Sequence, residues 1–259
     1  MAKGPEPPKA GVWPLALVLI GGLMVGSSWS DAVQEGQGGA LIAAACAGEA
    51  GPVPDGAVLY TFLGQALCEL PVSTAAGRLA GLSGLCAVLS MLLLFGLVRR
   101  CTHNAWAGGV AALTLGTGDI FWRMASQASL IPLALLLCLA ALYSAVRASQ
   151  ASPSSSASSA WSLGAGLLAS LAAGTHPGAA VAAPVCLLAS AWPLTPSLGL
   201  ASRLLLLGAG AGAGLFITGG VAPLAGPSVE PVTRLGELVA ALPTQLGGVL
   251  WPLAILGLG

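Results

Sequence analysis

Seven long apolar runs, separated by polar or Gly-containing stretches, set the predicted architecture of the chain. A membrane-spanning helix needs about 20 predominantly apolar residues, so each run predicts one spanning helix. The runs cover residues 11–30, 79–98, 105–121, 129–146, 161–175, 178–192 and 204–223. A further apolar stretch, 247–259, is too short to span, and the chain stops inside it. The expected fold class is an all-α polytopic membrane protein with about seven complete transmembrane helices plus a truncated eighth.

Two segments between the runs are polar. Residues 31–77 contain acidic residues but no Lys or Arg, which predicts a long first outer loop of the kind that often carries function. Residues 148–160 are rich in Ser and predict a flexible inner linker that is too polar to pack. We therefore expect a cytoplasmic N-terminus over 1–10 and a membrane domain over 11–195. The remainder, 196–259, adds a further transmembrane helix, an outer loop and the truncated apolar end.

The composition agrees with a membrane protein. Charged residues make up 7% of the chain and hydrophobic residues 56%, with a mean hydropathy of +0.90, whereas a typical soluble domain carries about 25% charged residues. The net charge is +0, so the chain lacks the clustered basic residues that bind nucleic acid. The expected partner is therefore membrane lipid, and no nucleic-acid partner is expected.

Basic residues indicate the orientation, because positively charged loops stay in the cytoplasm. With the N-terminus inside, positions 3, 9, 99, 100, 147 and 203 lie inside, and positions 78, 123 and 234 lie outside. The first apolar run is expected to remain as an anchor, since no clean Ala-x-Ala cleavage site follows it. We expect a multi-pass protein of the cell inner membrane with a cytoplasmic N-terminus.

The six cysteines show no C-x-x-C spacing, so no metal site and no cofactor are expected. Cys46 and Cys68 both fall in the outer loop, where they either form a disulfide or remain buried thiols. Of the two histidines, His103 is expected to lie at the interface beside basic residues. His176 precedes a Pro at a predicted outer helix end, where it either caps the helix or faces a site.

Asp119 and Arg123 stand four residues apart at the outer end of the third run. At that spacing an acid and a base pair along a helix, while Trp122 between them is a typical interfacial anchor. Arg123 also has the chemistry of a phosphate clamp for a lipid-linked donor.

Four short stretches carry a resemblance to a known family. They are 41–45 (LIAAA), 56–64 (GAVLYTFLG), 121–122 (FW) and 175–177 (THP). In this order, and with the layout of one span, a long acidic outer loop and closely spaced helices, they resemble the protein O-mannosyltransferase-like family of unknown function in the GT-C superfamily of lipid-dependent glycosyltransferases. The resemblance covers residues 10–195 approximately. It implies a GT-C-like arrangement of helices and a polyprenyl-phosphate-linked sugar as partner.

The acids of the family signature are missing at the matching positions. Its Asp and Glu fall on Gln37 and Ala40, its His on Val53, its second Pro on Asp55 and its later Glu on Ser129. In the superfamily an outer-loop Asp acts as the base that takes a proton from the acceptor hydroxyl. Neither Gln nor Ala can accept that proton.

Three functions therefore stay open. The first is a GT-C-type membrane protein with a lost or relocated catalytic acid. The second is an active protein O-glycosyltransferase that uses Asp31, Glu35 or Asp55 as its catalytic acid. The third is a transporter or a membrane scaffold unrelated to sugars. The outer loop is expected to fold back near the predicted substrate-binding residues: Tyr60, Asp119, Arg123 and His176.

Overall fold

The computed structural model describes residues 12–27, 37–46, 57–71, 73–152 and 155–182, together with 185, 186 and 189. Over these residues the chain is helical, and the described part contains no β-strand. The helices are α1 Val12–Ser27, α2 Gln37–Cys46, α3 Val58–Cys68, α4 Ala75–Thr102, α5 Ala105–Gly116, α6 Asp119–Ala125, α7 Ile131–Gln150, α8 Ser156–Thr175 and a final 3-10 helix Pro177–Val181. The predicted all-α class is confirmed over this part of the chain.

Two of the described helices are long and apolar enough to cross a membrane. α4 has 28 residues and α7 has 20, so at 1.5 Å per residue each reaches roughly the 30 Å of a bilayer core or more. Their charged residues lie in terminal turns: Arg78 at the start of α4, Arg99 and Arg100 at its end, and Arg147 at the end of α7. The predicted span 204–223 and the apolar end 247–259 lie outside the described residues, so the total of seven stays a prediction.

The third predicted span, 105–121, is interrupted. α5 ends at Gly116, and Gly118 takes up extended backbone as the N-cap of α6. With 12 residues, α5 is about 18 Å long, which is less than the bilayer core. Thr117 is the C-cap of α5, and its backbone N donates to Leu113 O at 2.8 Å. It stands between two glycines, which are poor helix formers, and hydrophobicity alone missed this break.

The Ser-rich linker predicted over 148–160 is shorter in the structure. α7 continues to Gln150, and α8 starts at Ser156 after Ser155, whose side chain accepts a hydrogen bond from Ser158 N at 3.2 Å. Ser158 is 1% exposed, and its hydroxyl donates to Ala148 O at 3.4 Å. The prediction that this stretch is too polar to pack was wrong at Ser158, because backbone carbonyls satisfy its hydroxyl.

Small residues control how closely the helices pack. Ala141 and Ala145 of α7 meet Ala165 and Ala169 of α8, and all four are fully buried. Small side chains four residues apart let two backbones approach closely, as in many membrane helix pairs. α4 lies at the centre of the bundle and packs against α1, α2, α3, α5, α6 and α7.

α4 and α7 run in the same direction. Ser83, near the start of α4, bonds to Ser129, which precedes α7, while Arg100 near the end of α4 bonds to Gln150 at the end of α7. We call the end with Ser83 and Ser129 the loop end, because α2, α3 and α6 lie there, and the end with Arg100 and Gln150 the basic end. Hydroxyl and backbone groups link α4 to the start of α7 at the loop end, whereas an Arg and a Gln side chain link the two helices at the basic end.

Candidate functional site

The loop end contains the residues that the sequence singled out as a site. α2 and α3 lie inside the predicted outer loop and pack on α4, so the described part of this loop is helical. The approach is close at Gly64 of α3, where an added Cβ would lie 2.7 Å from Leu79 Cδ2 and 2.9 Å from Ala45 Cβ. Only Gly fits between these two neighbours, so α2, α3 and α4 form one packed unit.

Tyr60 anchors this unit through a buried polar link. Its side chain is fully buried, its hydroxyl donates to Leu79 O at 2.9 Å, and the same oxygen lies 3.0 Å from Ser83 Oγ. Ser83 Oγ in turn accepts from Ser129 N at 3.1 Å and lies 3.2 Å from Ser129 O, so its single proton is shared between Ser129 O and Tyr60 Oη as acceptors. The link therefore joins α3, α4 and the turn before α7.

The link is neutral. Burial raises the pKa of Tyr60 to about 12, although the hydrogen bond to Ser83 acts in the opposite direction. A phenol with this pKa keeps its proton near neutral pH and cannot act as a base there. The described contacts of Tyr60 are those of a core residue, and its substrate-binding role stays a prediction.

Ser129 is the position that matches the later Glu of the family. It is 9% exposed, and its Oγ accepts from Ile131 N at 3.3 Å at the start of α7. Both its backbone polar groups contact Ser83. Ser129 therefore stabilises a turn and a helix start, and it has no group that can accept a proton as a carboxylate does.

A disulfide fixes the two helices of the outer loop to each other. Cys46 at the end of α2 is bonded to Cys68 at the end of α3, with a Cα–Cα distance of 5.4 Å. Of the two alternatives left open by the sequence, the structure has the disulfide. Next to it, the Arg78 guanidinium donates to the backbone carbonyls of Leu67 and Cys68 and so satisfies acceptors at the C-terminal end of α3.

Asp119 and Arg123 form the predicted ion pair. Arg123 Nη2 lies 2.8 Å from Asp119 Oδ2, and the side chains are 68% and 78% exposed. Such an exposed helical pair contributes only about 0.3–0.5 kcal/mol to stability. A guanidinium has five N–H donors, so the pair orients Arg123 and leaves donors for a ligand.

His176 is a cap between two helices. Its backbone N donates to Ala172 O at 3.0 Å at the end of α8, and its Nδ1 accepts from Gly178 N at 3.1 Å at the start of the 3-10 helix. Burial lowers the pKa of His176, and an Nδ1 that accepts a hydrogen bond carries no proton. The capping interpretation is confirmed by these bonds.

The predicted site residues are only partly brought together. Tyr60 shares an apolar cluster with Ala172 and Ala179, which flank His176. Within the described residues no hydrogen bond or ion pair links Asp119 or Arg123 to His176 or Tyr60. The predicted catalytic residues lie outside the described residues: Asp31, Glu35 and Asp55.

Ser83, the centre of the polar link, is a functional position that the sequence pattern does not single out. Its signal is weak, because Ser83 stands among Ala and Gly residues at the start of α4 and looks like one more small packing residue. Its partner Ser129 is 46 residues away, and nothing in the local pattern relates the two positions.

Of the comparisons with known proteins, the one with solved structures gives a match, and this match concerns the fold. No protein-family model matches the chain, and no curated protein does so either. Among solved structures, the chain is similar to the S. cerevisiae protein O-mannosyltransferase Pmt1-Pmt2 complex bound to the sugar donor, with a TM-score of 0.67 and 14% sequence identity. The likeness covers 84% of this chain and 34% of the yeast chain. The matched part spans about a third of the yeast chain, and over that part this chain shares its helical fold.

Proposed function

We propose that this protein binds a polyprenyl-phosphate-linked sugar at the loop end of its GT-C-like bundle and lacks the catalytic acids of active transferases at their usual positions. One observation carries the proposal: a chain with the fold of a protein O-mannosyltransferase has Gln37, Ala40 and Ser129 where the family it resembles has acids. Sugar transfer needs a general base, whose loss costs about 10² to 10⁴ in rate.

The described carboxylates do not replace the missing acids. Within the described residues the carboxylates are Glu69 and Asp119. Asp119 is engaged by Arg123 on the exposed surface, and Glu69 is the exposed C-cap residue of α3. Both therefore lie on the exposed surface of the described structure and not in an enclosed site.

Arg123 is the proposed phosphate-binding residue. Among the described residues its guanidinium is oriented by one hydrogen bond, to Asp119, and its side chain is 68% exposed. Arg binds phosphate oxygens in bidentate geometry. Arg123→Gln should therefore weaken binding of a polyprenyl-phosphate sugar. Arg147→Gln is the matched control, because it removes the same charge at the basic end.

The distribution of charge supports this proposal over a transporter. Transporters place ionisable residues in mid-membrane, whereas all charged residues of α4 and α7 lie in their terminal turns. A scaffold role without a sugar ligand predicts no binding of the donor, so the same binding experiment separates it from our proposal.

The test is a binding and transfer assay on purified protein with a panel of polyprenyl-phosphate sugars. We expect saturable binding that Arg123→Gln weakens, and no transfer above background. Transfer that disappears in Asp31→Asn, with the protein still folded, would show a relocated acid and overturn the lost-acid proposal. Glu35→Gln and Asp55→Asn test the other two positions in the same way. Absence of donor binding would overturn the ligand assignment.

A further inference from the structure

A cavity of about 590 Å³ opens between α4 and α7 at the basic end, far from the proposed donor site. It is lined on one side by the end of α4 and on the other by the end of α7: Gly96, Arg99, Arg100, His103, Tyr143 and Gln150. The lining combines positive charge with neutral hydrogen-bonding groups and contains no carboxylate.

Two arginines of this cavity have no anionic partner among the described residues. The Arg100 side chain donates to the neutral side-chain carbonyl of Gln150. The guanidinium of Arg99 forms no hydrogen bond or ion pair within the described part of the chain. The other described arginines are all engaged. Arg78 caps α3, Arg123 pairs with an acid, and Arg147 stacks on Trp161 with its Cζ 5.1 Å from the ring centroid.

The helix end accounts for the position of these arginines but leaves their guanidinium groups available to a ligand. A basic residue in the last turn of a helix offsets the helix dipole, and when it caps the end directly it donates to terminal carbonyls, as Arg78 does at α3. Neither Arg99 nor Arg100 makes such a bond among the described residues. Their guanidinium groups instead line an open cavity, where an anion can meet both.

The described negative charge lies at the opposite end of the bundle. Glu69 and Asp119 are the carboxylates of the described residues, and both stand at the loop end. No described acid therefore competes with an external anion for Arg99 and Arg100.

An apolar face of α4 leads to this cavity. Leu85 and Leu89 are 57% and 40% exposed, and at about 100° per residue they share one side of the helix with Gly96, Arg99 and Arg100. Leu89 lies roughly 16 Å along the helix from Arg100. This spacing suits a molecule with an anionic head and an apolar chain.

We propose that the cavity binds the phosphate-bearing headgroup of an anionic phospholipid. Arg99 and Arg100 contact the phosphate, Tyr143 and Gln150 supply neutral hydrogen-bonding groups to the rest of the headgroup, and the acyl chains lie along Leu85 and Leu89. Basic pockets between membrane helices bind anionic headgroups in this way. The site is independent of the proposed donor site, since the two lie at opposite ends of the bundle.

The experiment titrates the purified full chain in neutral detergent with short-chain phosphatidylglycerol and follows occupancy by native mass spectrometry. Each basic residue near an anionic lipid contributes about fivefold in affinity, so Arg99→Gln combined with Arg100→Gln should weaken binding about 25-fold. Arg147→Gln, which removes one charge outside the cavity, should weaken binding by less than about fivefold. Equal losses per charge in both variants would overturn a defined site.

Gly96→Leu tests the cavity without changing the charge. A Cβ at Gly96 would lie 3.7 Å from Tyr143 Cε2, which is ordinary contact, while the rest of the Leu side chain would fill the cavity. Binding of phosphatidylglycerol should then be lost while the circular dichroism of the helices is kept. Unchanged binding by Gly96→Leu would overturn the proposal, and so would unchanged binding by folded Arg99→Gln alone.

Two further ligands separate the possible sources of the phosphate. Phosphatidylcholine carries the same phosphate and acyl chains without net charge, and we expect it to bind at least tenfold more weakly. Inorganic phosphate at millimolar concentration should not displace phosphatidylglycerol. If inorganic phosphate binds as tightly as the lipid, the cavity is a site for a free anion and the lipid proposal fails.

Discussion

Replacing Ser83 by Ala tests the buried link between α3, α4 and the turn before α7. The hydroxyl of Ser83 contacts Tyr60 Oη at 3.0 Å, Ser129 N at 3.1 Å and Ser129 O at 3.2 Å. The change leaves the N–H of the 9% exposed Ser129 without this acceptor. A buried donor that loses its partner costs about 1–3 kcal/mol, and we expect Ser83→Ala to lower the free energy of unfolding by that amount.

Ser90→Ala is the matched control. Ser90 is also fully buried in α4, but its hydroxyl bonds only to Cys86 O of the same helix at 2.8 Å among the described contacts. Removing such a bond leaves no orphaned donor, so the free energy of unfolding should fall by only about 0.5 kcal/mol, the low end for a single hydrogen bond. Unfolding in detergent with increasing sodium dodecyl sulfate, followed by circular dichroism, measures both. If Ser83→Ala costs no more than Ser90→Ala, the link does not stabilise the loop end.

Tyr60→Phe extends the same test. The variant removes the hydroxyl that contacts Leu79 O and Ser83 Oγ, and it should lower the free energy of unfolding by about 0.5–1.5 kcal/mol. Its effect should not add to that of Ser83→Ala, because the two residues are in contact. Since the pKa of Tyr60 is raised from 10.0 to about 12, the unfolded chain loses this proton first. Wild-type stability should therefore fall as the pH rises from 10 towards 12, and Tyr60→Phe should show less of this fall.

Three further outcomes are expected. Reduction of the Cys46–Cys68 disulfide, which closes a separation of 22 residues, should lower the unfolding free energy by about 3 kcal/mol, measured with and without reductant. Gly108→Ala should lower the free energy of unfolding by about 1–3 kcal/mol, because its Cβ would lie 2.8 Å from Phe95 O of α4. An added Cβ at Gly164 meets no atom within 4 Å, so Gly164→Ala should raise the free energy of unfolding by about 0.5–1 kcal/mol. Because burial lowers the pKa of His176, acidification below about 6.5 favours the unfolded chain, and His176→Asn should reduce this loss.

The hydrophobic pattern alone predicted the helical class and the positions of the main helices. α4, α7 and α8 fall on the runs 79–98, 129–146 and 161–175, because an apolar run of this length must satisfy its backbone within one helix in lipid. The Asp119–Arg123 pair and the cap at His176 could also be predicted from the sequence, since each depends on residues at most four positions apart. Ion pairs and caps within one helical turn follow from the spacing of the residues along the chain.

The tertiary structure decided which distant residues meet. Cys46 pairs with Cys68, Ser83 with Ser129, and Arg100 with Gln150, across separations of 22, 46 and 50 residues. These pairs follow from the parallel packing of α4 and α7 and from the way α2 and α3 fold onto α4. An apolar run predicts a helix that is shielded from water, but it does not predict which neighbouring helix covers each of its faces. That choice depends on the shapes of all the packed side chains together.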